Sequence, residues 1–244
     1  MYKMSDSNLY QFKMILGTYK PSQSTVELLQ KIPLVIITSA TSTGKDSITA
    51  ELLETNKYSR MVTDTTRPKR VNNGQLEQDR QDYRFLNEQQ FLDGLKSGKY
   101  IEAAIVHKKY VYGTSVEELQ KATLTGKTIV VDIDIVGCDH IKQYASVAKA
   151  IFLLPPSFKE WMRRLKHRGT MSETEQQLRL KSATLEIQGA LNKPYFVFFI
   201  NDDLAATAKQ IDDFVATNHL DASHQVKARA MAEQLLTDLK HYLN

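Results

Sequence analysis

Leu34-Val35-Ile36-Ile37-Thr38-Ser39-Ala40-Thr41-Ser42-Thr43-Gly44-Lys45-Asp46-Ser47 is the stretch that decides the fold. The apolar run Leu34 to Ile37 reads as a buried parallel strand, and Ile48 to Leu53 reads as the start of a helix. Between them lies a loop resembling the phosphate cradle G-x-x-x-x-G-K-[ST]. In that signature backbone N–H groups close on phosphate, the lysine neutralises it and the hydroxyl ligates magnesium. Gly44 and Lys45 match. Ser39 replaces the first glycine, Ser42 replaces a glycine that many such loops keep, and Asp46 replaces the hydroxyl. A left-handed backbone at Ser39 would cost on the order of 1 kcal/mol. Asp46 puts a negative charge beside the phosphates, although with magnesium between them a carboxylate is itself a hard ligand. Ser47 points about 100° further round the helix and is a poor substitute for the lost hydroxyl.

Composition sets the bounds. The chain has 244 residues and a formal charge of +4, which suits one α/β domain with appendages and favours small polyanions over a nucleic-acid surface. Cys138 is the sole cysteine, so an internal disulfide and a Cys-based zinc site are excluded, and a reducing cytoplasm is expected. The six histidines show no metal-binding spacing. No stretch approaches the ~18 apolar residues of a membrane span, so no membrane partner is expected, and the mild charge leaves no nucleic-acid partner expected either.

Apolar runs recur at Leu34 to Ile37, Thr128 to Ile133, Ala150 to Leu154 and Phe196 to Ile200, separated by helical patterns. That alternation predicts a doubly wound parallel sheet with right-handed crossovers. The polar segment 63–118, with short alternating pieces at Tyr83 to Leu86 and Tyr100 to Ala103, reads as a small strand-rich insertion. After Pro155-Pro156, the charged helical stretch 157–185 has too few apolar residues to be all core and reads as a lid. Residues 1–31 and 221–244 read as helical extensions outside the 32–220 core, and as surfaces for a homodimer.

The insertion gathers hydroxyls and fixed cations around one carboxylate: Thr63-Asp64-Thr65-Thr66-Arg67-Pro68-Lys69-Arg70, Asp82-Tyr83, Tyr100-Ile101-Glu102 and Tyr112-Gly113-Thr114. Forked arginine donors with tyrosine and threonine hydroxyls match a phosphomonoester. From Leu34 to Val215 the chain resembles the guanylate kinase family. The landmarks come in order: the loop before Lys45, T-T-R-P-x-R, D-Y-x-F, Y-I-E, Y-G-T-S, D-I-D-x-x-G at Asp132 to Gly137, L-P-P-S, R-L-x-x-R-G-T at Arg164 to Thr170, and N-D-D at Asn201 to Asp203. Each is weak alone, and their joint order is specific.

The resemblance implies a P-loop NTPase fold with a GMP-binding insertion and a helical lid, and phosphoryl transfer from ATP with Mg2+ to GMP. By that resemblance Thr41, Ser42, Thr43, Gly44, Lys45, Asp46, Ser47 and Asn201 would hold ATP. Arg67 and Arg70 would hold the GMP phosphate, with Thr63, Tyr83 and Tyr112 donating hydroxyls. Glu102 would accept from the guanine N1–H and exocyclic amine, while Thr114 and Asp134 help hold the base. Adenine presents a lone pair at N1 and would leave the carboxylate facing an acceptor. Lys45 with Arg164, Arg168 and Arg179 would surround the transferring phosphoryl group. Asp132 and Asp134 are expected at a strand end on one pleat face, with Asp46 and Asp132 as candidate magnesium ligands. The sequence Lys108-Lys109-Tyr110-Val111 is one residue longer than the family pattern, which makes Tyr110 a rival of Tyr112 for the phosphate. The altered loop supports an alternative, a weak or inactive paralogue acting as a GMP- or protein-binding module.

Overall fold

A computed structural model describes residues 4–72, 74–106, 109–167 and 173–243. The chain opens with α1 (Asp6–Leu16), α2 (Gln23–Leu29), β1 (Leu34–Ser39), α3 (Lys45–Glu54) and β2 (Tyr58–Arg60). It continues through β3 (Asp64–Thr65), β4 (Val71–Asn72), β5 (Gln75–Leu76), β6 (Arg84–Phe85), α4 (Glu88–Lys96), β7 (Tyr100–Val106) and β8 (Tyr110–Ser115). Next come α5 (Val116–Thr123), β9 (Thr128–Asp132), α6 (Ile135–Tyr144), β10 (Lys149–Leu154) and α7 (Phe158–His167). The last elements are α8 (Glu173–Leu191), β11 (Phe196–Ile200), α9 (Leu204–Thr217) and α10 (Ala222–Leu243). The four apolar runs are thus β1, β9, β10 and β11, and the mixed α/β class with a parallel sheet is as the alternation predicts.

The chain divides into two compact units. One takes the residues up to Leu34, Ser59–Val131 and Val136–Ala148; the other takes Val35–Tyr58, Asp132–Ile135 and the chain from Lys149 onward.

In the second unit β1, β10 and β11 run parallel, with Ile37 opposite Ile151 and Ile151 opposite Val197. They belong to a five-stranded sheet. β-Branched and aromatic side chains fill these strands, and Ile36, Ile37, Ile151, Phe152, Phe198 and Phe199 are fully buried. Each such side chain stabilises the fold by roughly 1.5–3 kcal/mol relative to exposure. α10 buries Ala228, Ala232, Leu235 and Leu239 and packs on α8 and β11. It is therefore part of this core, not an appendage outside it.

In the first unit a four-stranded sheet has the order β6-β3-β8-β7. β3 is parallel to β6 and antiparallel to β8, which forms an antiparallel pair with β7. A capping box at Asn87 and Gln90 starts α4. Phe91 of α4 stacks on Tyr100 with ring centroids 4.5 Å apart. An added Cβ at Gly113 would stand 2.9 Å from the Phe91 ring, so glycine is what lets α4 lie this close. α1 completes the same core: Phe12 is fully buried and packs with Phe91, Leu92, Leu95 and Val111. Phe12 thus anchors the N-terminal helix in the core of this unit.

Candidate active site

In the second unit, Gly44 takes a left-handed backbone, φ 96°, and hands over directly to Lys45, the first residue of α3. Several side chains bind the loop backbone. Thr43 Oγ1 donates to the Ala40 carbonyl at 3.1 Å, Trp161 Nε1 donates to the Thr41 carbonyl at 2.7 Å, and Asn201 Nδ2 donates to the Thr43 carbonyl at 2.8 Å. A side chain at Gly44 would collide with that Asn201 amide. The strain expected at Ser39 is not there, because Ser39 is an ordinary strand residue at the end of β1. Ser42 has φ 60° instead, so the left-handed turn falls on the other missing glycine. Ser42 Oγ is buried without a hydrogen-bond partner among the described residues. An orphaned hydroxyl ahead of a helix N-terminus and a lysine suits a phosphate oxygen.

Lys45 is half-buried, while Asp46 and Ser47 are exposed. β9 ends at Asp132, which is buried, and Asp134 lies past the strand before α6. The expected shared pleat face is therefore broken by the strand's end. Glu186 on α8, overlooked in the sequence, has its carboxyl pushed up to about 7, by burial first and then by the Asp134 charge, against the pull of Lys45. Among the described residues no group of three or more His, Cys, Asp or Glu side chains is placed to hold a metal. Magnesium needs none, since it keeps several waters and takes one or two carboxylates together with substrate phosphates.

Arg164 and Arg179 are each bonded to a glutamate of their own helix, and Arg164 also reaches beyond it. Arg164 Nε donates to Glu160 at 2.8 Å and its Nη1 to the Asn201 carbonyl at 2.9 Å. Arg179 donates to Glu175 at 2.6 Å. Arg168 lies outside the described residues.

In the first unit, Arg67, Tyr83 and Tyr112 come together. Arg67 Nε donates to the Tyr112 hydroxyl at 2.9 Å, its guanidinium lies 5.1 Å from the Tyr83 ring centroid, and the two tyrosine rings meet edge-on at 5.9 Å. It is Tyr112, not Tyr110, that meets Arg67. Glu77, absent from the sequence expectations, grips Arg67 with two bonds of 2.7 and 2.9 Å and accepts the Arg70 N–H at 2.8 Å. Burial opposes both charges, yet the pairing prevails: the Arg67 pKa stands above and the Glu77 pKa below its usual value. Both side chains are buried, so the pair fixes the T-T-R-P turn. The Arg70 side chain is exposed.

Glu102 and Thr114 stand opposite each other on β7 and β8. Thr114 Oγ1 donates to Glu102 Oε1 at 2.7 Å, and both residues are buried, as is Thr63. Behind them Asp64 accepts from Arg84 and, at 2.8 Å, from the Tyr100 hydroxyl. Burial raises the Asp64 carboxyl above its usual range, although Arg84 and Tyr100 pull it down. The first unit thus holds a buried carboxylate, Glu102, against the Thr114 hydroxyl, and a fixed guanidinium, Arg67, against the Tyr112 hydroxyl.

A family model described as guanylate kinase matches residues 31–218. The guanylate kinase of Rickettsia prowazekii (strain Madrid E) is 34% identical over 183 residues, 75% of this chain and 89% of that protein. Guanylate kinase 1 of Oryza sativa subsp. japonica is 32% identical over 194 residues, 78% of this chain; the match spans 49% of the rice protein, about half its length. Among solved structures, guanylate kinase from Anaplasma phagocytophilum superposes with a TM-score of 0.60 at 26% identity, over 83% of this chain and 94% of that one.

Proposed function

The chain belongs to the guanylate kinase family, and from that premise we propose that it transfers the terminal phosphoryl group of ATP to GMP, giving ADP and GDP. The buried Glu102–Thr114 pair carries this reading. A carboxylate is an acceptor with two oxygens, and guanine offers two donors on one edge, N1–H and the exocyclic amine. Adenine offers a lone pair at N1, and placing it against a buried carboxylate leaves both groups unsatisfied.

The remaining residues take roles their chemistry suits. Tyr112, Tyr83, Thr63 and Arg70 bind the GMP phosphate, with Arg67 anchored by Glu77 so that its guanidinium orients the Tyr112 hydroxyl. Residues 41–47 cradle the ATP phosphates, and Asn201 and Trp161 keep the loop closed. Lys45, Arg164 and Arg179 neutralise charge as it spreads over the transferring group, which is most of what phosphoryl transfer asks of a protein. Asp132 would hold magnesium together with the phosphates, and the ion would supply further charge neutralisation when bound. The alternative of a GMP- or protein-binding module draws only on the loop substitutions. The lysine and arginines argue for turnover.

The test is an acceptor panel. With Mg-ATP, ADP release should depend on GMP and be at least a hundredfold slower with AMP, CMP or UMP at equal concentration, on the hydrogen-bond discrimination above. A preference for any other acceptor would overturn the reading.

A further inference from the structure

The acceptor sheet has two faces, and the register assigns residues to each. Thr65 stands opposite Tyr112, Glu102 opposite Thr114, and Asp64 and Ala103 flank Gly113. Because side chains alternate along a strand, Thr65, Tyr112, Thr114 and Glu102 share one face and Asp64 belongs to the other. Tyr100 comes two residues before Glu102, and plain alternation would put both on the same face.

β7 does not alternate plainly. Tyr100 pairs with Ser115 while Glu102 pairs with Thr114, so Ile101 is an extra residue and the strand changes phase there. Tyr100 is thereby turned to the back of the sheet, where its hydroxyl donates to Asp64 at 2.8 Å and its ring stacks on Phe91. Glu102 is left on the front with Thr114. The bulge is what lets a buried anchor and a base-reading carboxylate sit so close in sequence.

The bulge is also clamped from outside the sheet. β7 is an edge strand, and edge-facing backbone groups have no neighbouring strand to bond. At Tyr100 a single side chain supplies both partners: the Tyr19 hydroxyl accepts the Tyr100 N–H at 2.9 Å and donates to the Tyr100 carbonyl at 2.8 Å. Tyr19 follows α1, whose Phe12 is buried in the same core. We propose that Tyr19 and Tyr100 are positioning residues for Glu102, and that the N-terminal segment locks the bulge that aims this carboxylate at the purine edge.

This inference rests on the reading of Glu102 as the guanine contact, and its test separates the two. Tyr19→Phe keeps the packed ring and removes only the clamping hydroxyl. Steady-state rates at saturating Mg-ATP are compared for GMP and for inosine monophosphate, which retains N1–H but lacks the exocyclic amine. A displaced carboxylate weakens its guanine contacts, and only GMP has an amine contact to lose. The variant is expected to lose about tenfold in kcat/KM for GMP, to lose a similar factor in its preference for GMP over inosine monophosphate, and to keep its KM for ATP within about twofold. Tyr100→Phe, which frees the ring from Asp64, should move the same two ratios in the same direction. A lower melting temperature with an unchanged GMP preference in both variants overturns the clamp alone. Absence of GMP-dependent turnover in the wild type overturns the reading, and the clamp falls with it.

Discussion

The Thr114 hydroxyl donates to Glu102 Oε1 at 2.7 Å, and neither residue is open to solvent. A hydrogen bond to a charged, buried group contributes about 1.5–3 kcal/mol, equivalent to roughly a tenfold to hundredfold change. Thr114→Val has nearly the same shape and removes that bond. It should lower kcat/KM for GMP by about that factor while leaving KM for ATP unchanged, as initial rates with either substrate varied will show.

Asn201 acts on the phosphate loop, since its amide bonds the Thr43 carbonyl and fills the space beside Gly44. Asn201→Ala removes the bond and opens a gap behind the turn. The KM for ATP should rise by about tenfold, with KM for GMP unchanged. Equal effects on both substrates would mean that Asn201 supports the fold at large.

Asp46 is exposed in the first turn of α3, where a carboxylate favours the helix dipole by about 0.3–1 kcal/mol. Near phosphates the same charge is repulsive. Asp46→Ser is expected to lower the KM for Mg-ATP while slightly lowering the melting temperature. An unchanged or higher KM would identify the carboxylate as an adapted magnesium ligand.

Glu186 gives a pH dependence. Its carboxyl is raised from 4.5 to about 7 by burial and by Asp134, against Lys45. A carboxyl raised in the folded state contributes stability that is complete below its unfolded value and lost as the pH rises through the folded one. Between about pH 5 and 8 the wild type should therefore lose stability relative to Glu186→Gln. Parallel thermal melts of both proteins across that range check this, and parallel curves would refute it.

What the sequence disclosed was local or periodic. The strands were legible because Leu34 to Ile37, Thr128 to Ile133, Ala150 to Leu154 and Phe196 to Ile200 are dense in β-branched and aromatic residues bounded by breakers. The motifs Y-I-E and Y-G-T single out Glu102 and Thr114, which the fold brings into hydrogen bond. What stayed hidden needed long-range pairing. Glu77 reaches Arg67 across the β4–β5 hairpin, and Tyr19 reaches Tyr100 over 81 positions. No spacing rule relates such residues. The phase shift at Ile101 was equally invisible, because Tyr100-Ile101-Glu102 looks like any alternating strand. The motif's first glycine position, Ser39, needs no left-handed backbone, whereas the chain turns left-handed at Ser42. Ser42 is the other missing glycine, so the sequence carries that signal.

The most direct test of the central claim is to watch the phosphorus spectrum of purified protein mixed with Mg-ATP and GMP. GMP and ATP resonances should decline together as GDP and ADP grow in equal amounts, and Lys45→Ala should slow this by at least a hundredfold, the scale of losing one positioned charge from the transition state. A wild-type protein that forms no GDP, or forms it no faster than Lys45→Ala, would contradict the account.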